Sequence, residues 1–298
     1  MIAGSAPEPD RSGPGDRRTD DHRGNGRPGA LLDAAAALLA GSRAPDVPVR
    51  TPVRVGVDLG TANCVLVVLD AAGEPVWVDA HPSGALADGV VVDFAKAIAT
   101  VRGLKQRAER ALGVELTAAA TAYPPCIPVA DARACAYVCE AAGFDDVALV
   151  DEVSAAQAVL GIDDGVVVDV GGGSTGVGVF AGGELVALDD RAGGGHHLDL
   201  VLAGALGIGI AEAEPRKRSH PGECLPILTP GLHRIAESVR AMTTGRPDLP
   251  LHLAGGALML PGADRVLQSY LERPVVTYPH ALLITPLGIA AEAPEAAA

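Results

Sequence analysis

The sequence predicts an α/β protein of two lobes, each built on a mixed sheet, facing one another across a ligand cleft. Three observations predict it. A meander of two β-branched runs around a Gly-bearing turn, with a third strand after it, occurs twice, over residues 53–80 and 166–189. Between the copies, short apolar strands alternate with helical periodicity, the βαβα pattern of a sheet with helices packed on it. A short strand running into Gly255-Gly256 adds a further Gly-rich turn late in the chain.

The elements can be justified in order. Residues 1–28 are Gly, Pro, Arg and Asp with almost nothing to bury, so a disordered extension is expected. Residues 29–42 read as a short Ala-rich amphipathic helix, with Leu31, Leu32, Leu38 and Leu39 a heptad apart on one stripe. A Pro-bearing linker, residues 43–52, follows it. The helix either docks on its own domain or serves as a detachable partner-binding segment of the kind that targets enzymes into microcompartments. The first lobe spans 53–160. Val53–Leu59 and Cys64–Asp70 flank the turn Gly60-Thr61-Ala62-Asn63, and a third strand lies around Val76–Ala80. Phe94–Leu112 carries Ala95, Ile98, Val101, Leu104 and Ala108 on one side and ends at Gly113. A strand over Thr117–Ala122, a helix from Asp131 to Ala142, a strand over Val147–Val150 and a helix over Glu152–Leu160 complete it. The second lobe, 161–284, repeats the meander as Val166–Val170, Thr175–Phe180 and Leu185–Asp189 around Gly171-Gly172-Gly173-Ser174. A strand at Leu251–Leu253 and a helix at Ala263–Leu271 follow. Residues 285–298 return to the first lobe as a second connecting helix with a short tail.

Composition narrows the function. The chain has 298 residues, of which 48% are hydrophobic and 3% aromatic, so its core is made of Ala, Val, Leu and Ile. Residues 1–50 hold seven arginines and seven acidic residues, which puts the whole net charge of −14 in the body. That balance argues against a nucleic-acid partner, which needs clustered positive charge. Only Lys96, Lys105 and Lys217 could act as a catalytic lysine. Five cysteines form no CxxC pair and no zinc spacing, so reduced thiols in a cytosol are expected. Cys135 and Cys139, one turn apart, read as small core residues. The N-terminus lacks the pattern of a signal peptide, and the apolar run Gly29–Gly41 is too short to span a bilayer. A soluble, cytoplasmic protein without a membrane partner is the expectation.

The duplicated meander carries the chemistry. Glycines at a hairpin tip let backbone N–H groups reach a phosphate without side-chain cations. An Asp at the strand end can hold a divalent metal, directly or through water. Asp58 with Gly60 and Thr61, and Asp169 with Gly171, Gly172, Gly173 and Ser174, could therefore grip a polyphosphate from both sides, with a metal between Asp58 and Asp169. Gly255 and Gly256 leave bare backbone against which a planar base or ribose can lie. Blander readings stand beside these. Both aspartates can be strand-end carboxylates, Glu152 can cap its helix or orient a water, and Lys217-Arg218 can be a solvated pair. His196-His197 has no third metal ligand near it in sequence.

These segments resemble the actin-like, heat-shock-70-like ATPase superfamily. Asp58-Leu59-Gly60-Thr61 is similar to its first phosphate motif, and Asp169-Val170-Gly171-Gly172-Gly173-Ser174 to its second. Leu253-Ala254-Gly255-Gly256 with Leu260-Pro261-Gly262 resembles the adenosine motif. Asp151–Ala156 and Thr285–Ala290 resemble the two connecting helices, and Glu214, Lys217 and Arg218 the Glu-x-x-Lys-Arg group that flanks adenine. Residues 88–94, 120–125, 193–198 and 213–218 are similar to the ethanolamine-utilisation branch of the superfamily. The resemblance implies the actin-like ATPase fold, two lobes of duplicated, ribonuclease H-like mixed sheets around a nucleotide cleft, with ATP/ADP and Mg²⁺ as cofactors. It implies Glu152 and Asp169 as catalytic residues. The implied role is a chaperone-like or reactivating accessory factor, a slow ATPase or ATP-driven switch. Its implied partners are ethanolamine ammonia-lyase or components of a bacterial microcompartment, and an oligomer is open to it. The alternative is a non-catalytic assembly adaptor with a structural nucleotide; a small-molecule kinase fits less well, because no base is evident for a substrate hydroxyl. Departures from the heat-shock-70 pattern are Val153-Ser154 where Pro-Thr is usual, Gly176 where an Asp stands, Met259 in place of an Arg, and no aligned catalytic lysine. Together they point to slow hydrolysis at most. The expectation is a protein without a separate peptide-binding domain after the second connecting helix.

Overall fold

The computed structural model describes residues 26–41, 49–87, 90–125, 127 and 129–296. Most of the expected extension, and residues 43–48 of the expected linker, lie outside the described residues. The chain runs α1 (Arg27–Gly41), β1 (Val53–Leu59), β2 (Asn63–Leu69), β3 (Pro75–Pro82), the short hairpin β4 (Leu86–Ala87) and β5 (Val90–Val91), α2 (Phe94–Leu112), β6 (Ala118–Tyr123), α3 (Val129–Ala142), β7 (Asp146–Asp151) and α4 (Glu152–Leu160). The second half is β8 (Gly165–Val170), β9 (Ser174–Ala181), β10 (Glu184–Ala192), α5 (Gly195–Leu206), α6 (Ile210–Ser219), α7 (Pro221–Met242), β11 (Leu251–Ala254), α8 (Ala263–Leu271), β12 (Val275–Val276), α9 (Ile284–Ala291) and β13 (Glu295–Ala296).

The two sheets share one topology. The first has the order β3-β2-β1-β6-β7, with β13 added beside β1, and the second β10-β9-β8-β11-β12. In each, an antiparallel meander is extended by parallel strands. Alternation along the strands sorts the two faces. Cys64, Leu66 and Val68 of β2 face a core with α2 and α3, whereas Val65, Val67 and Leu69 face the other side with α1, α4 and α9. Likewise Val166, Val168 and Val170 of β8 face α5, α7 and α8, and Val167 faces the layer between the lobes.

Local chemistry sets the helix limits. The Asp93 carboxylate accepts from Lys96 N at the start of α2, and Gly113, at φ 69°, closes it. Its buried stripe is Ala97, Val101, Leu104 and Ala108, so Ala97 rather than the expected Ala95 faces the core. Helix α3 starts at Val129, two residues before the expected Asp131. Helix α1 lies on β3, with Leu32 and Ala35 fully buried. Among the described residues no helix is long and apolar enough to cross a membrane.

Helices α4 and α9 form the joint between the lobes. They cross so closely that a Cβ at Gly288 would overlap the Ala155 carbonyl. A Cβ at Gly56 of β1 would come within 2.5 Å of Ala290 N. Only glycine fits either crossing.

Candidate functional site

Two aspartates occupy equivalent places in the two meanders. Asp58 of β1 pairs with Val65 of β2, and Asp169 of β8 with Gly176 of β9. Asp169 is 5% exposed, and Thr285 at the start of α9 donates its hydroxyl to Oδ2 at 2.5 Å. The other oxygen lies against Gly255, which sits at φ +82° and where any Cβ would overlap it. Burial pushes Asp169 up to about 6, against the Thr285 hydrogen bond, and the Asp190 charge adds to the rise. Asp58 is pushed up to about 7, first by burial and then by the charge of Asp169.

Glu152 joins these two from α4. Its backbone position is fixed by the neighbouring Val153, fully buried, which fills the notch left by Gly176 and Gly178 on β9. The Asp151 carboxylate caps the helix, accepting from Ser154 N at 2.8 Å. Burial and then the charges of Asp169, Asp58, Asp190 and Asp151 hold the Glu152 carboxyl well above the usual range. The structure thus brings Asp58, Glu152 and Asp169 within electrostatic reach of one another.

The hairpin tips meet across the lobes. A Cβ at Gly172 would lie 3.2 Å from Ala62 N and 3.4 Å from Ala62 Cβ, and 3.2 Å from Thr61 Cβ. Gly60 tightens the first turn, with no room for a side chain against the Asn63 carbonyl. In the second, Gly171 N donates to the Ser174 carbonyl at 3.1 Å, and Gly173 O accepts from Gly193 N at 2.9 Å. The start of α5 leans on the same turn, since Gly195 N and His196 N donate to the carbonyls of Gly171 and Gly172. Gly256 opens the 3₁₀ turn Ala257–Met259 beside Gly255.

The charged residues of α6 are engaged with one another and with α5. Buried Lys217 places Nζ 2.7 Å from Asp199 Oδ1 and 2.6 Å from Glu214 Oε2, while Arg218 Nε lies 2.8 Å from Glu214 Oε1. They connect to the Gly171–Ser174 turn through α5 and do not pair with Asp58, Glu152 or Asp169. Lys96 donates to the Gly84 carbonyl and Lys105 pairs with Glu109. All three ammonium groups are therefore held away from the carboxylates. Among the described residues no three His, Cys, Asp or Glu side chains are close enough to hold an ion directly. Sequence reasoning missed Thr285 as a partner of Asp169, and it missed Asp190. The first needs the return of α9 to the cleft, and the second needs strand register.

Two lobes with duplicated sheets, Asp-bearing hairpins facing each other and two helices crossing between them define the actin-like ATPase fold. The MreB/Mbl protein family model matches residues 80–204. MreB5 of Spiroplasma citri bound to ADP superposes with a TM-score of 0.67 at 17% identity, over 80% of this chain and 95% of that one, a likeness of fold. The ethanolamine utilization protein EutJ of Salmonella typhimurium is 39% identical over 241 residues, 80% of this chain and 85% of the relative. The crystal structure of EutJ from Carboxydothermus hydrogenoformans matches with a TM-score of 0.82 at 41% identity, over 88% of this chain and 97% of that one. The chain belongs to the EutJ family of ethanolamine utilization proteins.

Proposed function

We propose that the cleft binds ATP with Mg²⁺ and that the protein is a slow ATPase or ATP-driven switch, a chaperone-like or reactivating factor in ethanolamine utilisation. The observation that carries this reading is the pair of half-buried Asp58 and buried Asp169, at equivalent strand ends beside two Gly-rich tips that face each other. The residues fit the group. Carboxylates pushed up by burial and by one another, with every lysine engaged elsewhere, leave negative charge that a hydrated cation would offset. Bound Mg²⁺ would supply charge neutralisation at the phosphates. Asp58 and Asp169 would hold its hydration shell. Backbone N–H groups of the two turns would donate to phosphate oxygens, and Gly255-Gly256 would leave room for the nucleoside.

Glu152, with its proton affinity raised, is suited to orient and deprotonate an attacking water. Proton transfer would leave Glu152 neutral among its acidic neighbours, which favours accepting the proton but slows its return to the charged state. That supports slow turnover. Differential ATP affinity of the parted and closed lobes would bias their spacing and so the grip on a protein partner. The partner classes we propose are ethanolamine ammonia-lyase and microcompartment components, with the protein acting in the cytoplasm.

Titration calorimetry with ATP, with and without magnesium, tests the reading. Asp58→Ala and Asp169→Ala should each weaken magnesium-dependent ATP affinity about tenfold or more, the scale of a lost metal-shell contact. Unchanged affinity in both variants would sink it.

A further inference from the structure

We propose that Asp190, on the third strand of the second meander, is a working carboxylate of the cleft that grips the hydration shell of a divalent cation together with Asp169. The inference rests on the nucleotide reading above and adds a residue to that site.

Register places it. Asp169 on β8 and Asp190 on β10 both pair with Gly176 on β9, so the three residues form one row across three strands. Directly paired positions project to the same face of a sheet. Two strand spacings separate the aspartate backbones, about 10 Å. The residue between them has no side chain, so the row is a carboxylate, a gap and a carboxylate on the face that looks between the lobes. A Cβ at Gly176 would stand 3.8 Å from Asp190 Oδ1, which places that oxygen over the gap. It would also crowd Val153 Cγ2 at 3.1 Å and meet Pro125 Cδ at 3.7 Å, so the gap is walled by α4 and by the chain after β6.

Among the described residues this oxygen has no protein partner: Asp190 Oδ1 is buried and makes no hydrogen bond, although leaving a buried carboxylate oxygen unpaired is costly. The charge of Asp190 raises both Glu152 and Asp169, and that of Asp189 raises Asp190. Burial pushes Asp190 up to about 6, against hydrogen bonds from Ser174 and the Arg191 backbone. An arrangement that costs stability in the free protein is expected where a ligand offsets it.

The duplication supplies a comparison within the chain. Asp58 pairs with Val65, and Val65 with Ala80, so Ala80 holds in the first lobe the place that Asp190 holds in the second. The first lobe fills the row with Val65 and Ala80. The second opens it and puts a carboxylate at its far end.

The test compares the full-length parent, Asp190→Asn and Asp189→Asn, the last removing the same formal charge one residue along the strand. ATP affinity is measured by calorimetry with magnesium and with EDTA, and Mn²⁺ binding in the presence of ATP by electron paramagnetic resonance. Thermal melts are recorded without metal. Asp190→Asn should lose about tenfold of the magnesium-dependent gain in ATP affinity. It should weaken Mn²⁺ binding in parallel, leave affinity in EDTA unchanged, and melt higher than the parent in the metal-free state. Asp189→Asn should keep the magnesium gain. An Asp190→Asn protein with the parent's magnesium gain and Mn²⁺ affinity overturns the assignment of Asp190 alone. A parent that binds ATP no better with magnesium than with EDTA overturns the cleft reading, and this assignment with it.

Discussion

At the scale of single residues, the cleft shows how a site can be made from groups that are individually unfavourable. Asp58, Asp169 and Asp190 are all more easily protonated in the folded chain than in an unfolded one, with values of about 7, 6 and 6. A raised folded-state value means that the native form binds its proton more tightly than the unfolded form. The stability each group supplies is then fully present below the ordinary carboxylate range, and it is lost as pH rises through the folded value. For Asp58 the window runs from about pH 4 to about pH 7, with a slope no steeper than about 1.4 kcal/mol per pH unit. We predict that metal-free Asp58→Asn equals the parent in stability below about pH 4. It should gain on the parent across that window and hold a constant advantage above it. Denaturant melts of both proteins from pH 4 to pH 8.5 in EDTA check this; a difference that does not change with pH would contradict it. The aspartates themselves were legible from sequence, because Asp58 and Asp169 stand in repeated strand-turn contexts. Asp190 was not, since its meaning lies in a pairing with Gly176 that no spacing along the chain reveals.

At the scale of elements, the position of Glu152 depends on how α4 seats on β9. Val153 enters the notch between Gly176 and Gly178, and a Cβ at Gly178 would overlap Val153 Cγ1. The branched residue at 153 and the paired glycines on β9 are thus one packing unit, and the departure from Pro-Thr after Glu152 has a local counterpart. Gly178→Ala should cost about 1–3 kcal/mol through overpacking. Val153→Ala should cost about 2 kcal/mol through the cavity it leaves. The double variant should be more stable than the sum by about 1 kcal/mol or more, because each change makes room for the other. Additive losses in a urea double-mutant cycle would show that the notch is not what seats the helix. Sequence periodicity found α4 and the strands of both meanders, whose two-residue alternation and Gly turns are local signals. It found no helix over Pro221–Met242, where Pro226 and Pro230 interrupt the local signal. There the burial of Leu228, Leu232, Ile235 and Val239 against the second sheet holds the helix, a tertiary effect that local propensity does not contain.

At the scale of the whole molecule, the two lobes meet at the point where the proposed polyphosphate would enter. The tips at Thr61-Ala62 and Gly172 are in van der Waals range, so a triphosphate between them requires the lobes to part. Each lobe keeps its own sheet and core, and a third cluster with α4 and α9 is shared between them. A Cβ at Gly172 would lie 3.4 Å from that of Ala62, close to the separation a disulfide spans. Paired Ala62→Cys and Gly172→Cys substitutions, in a Cys126→Ser background, should therefore oxidise to a bond that staples the tips. Cys64, Cys135, Cys139 and Cys224 are buried free thiols, out of reach of the new pair's chemistry. Oxidised, the stapled protein should lose ATP affinity by more than about tenfold, and reduction should restore it. Calorimetry on both redox forms, with each single-cysteine variant as a control, reads the effect. Equal affinity in the two forms would mean that the nucleotide enters without parting the tips, and the lobe-spacing switch would fall with it.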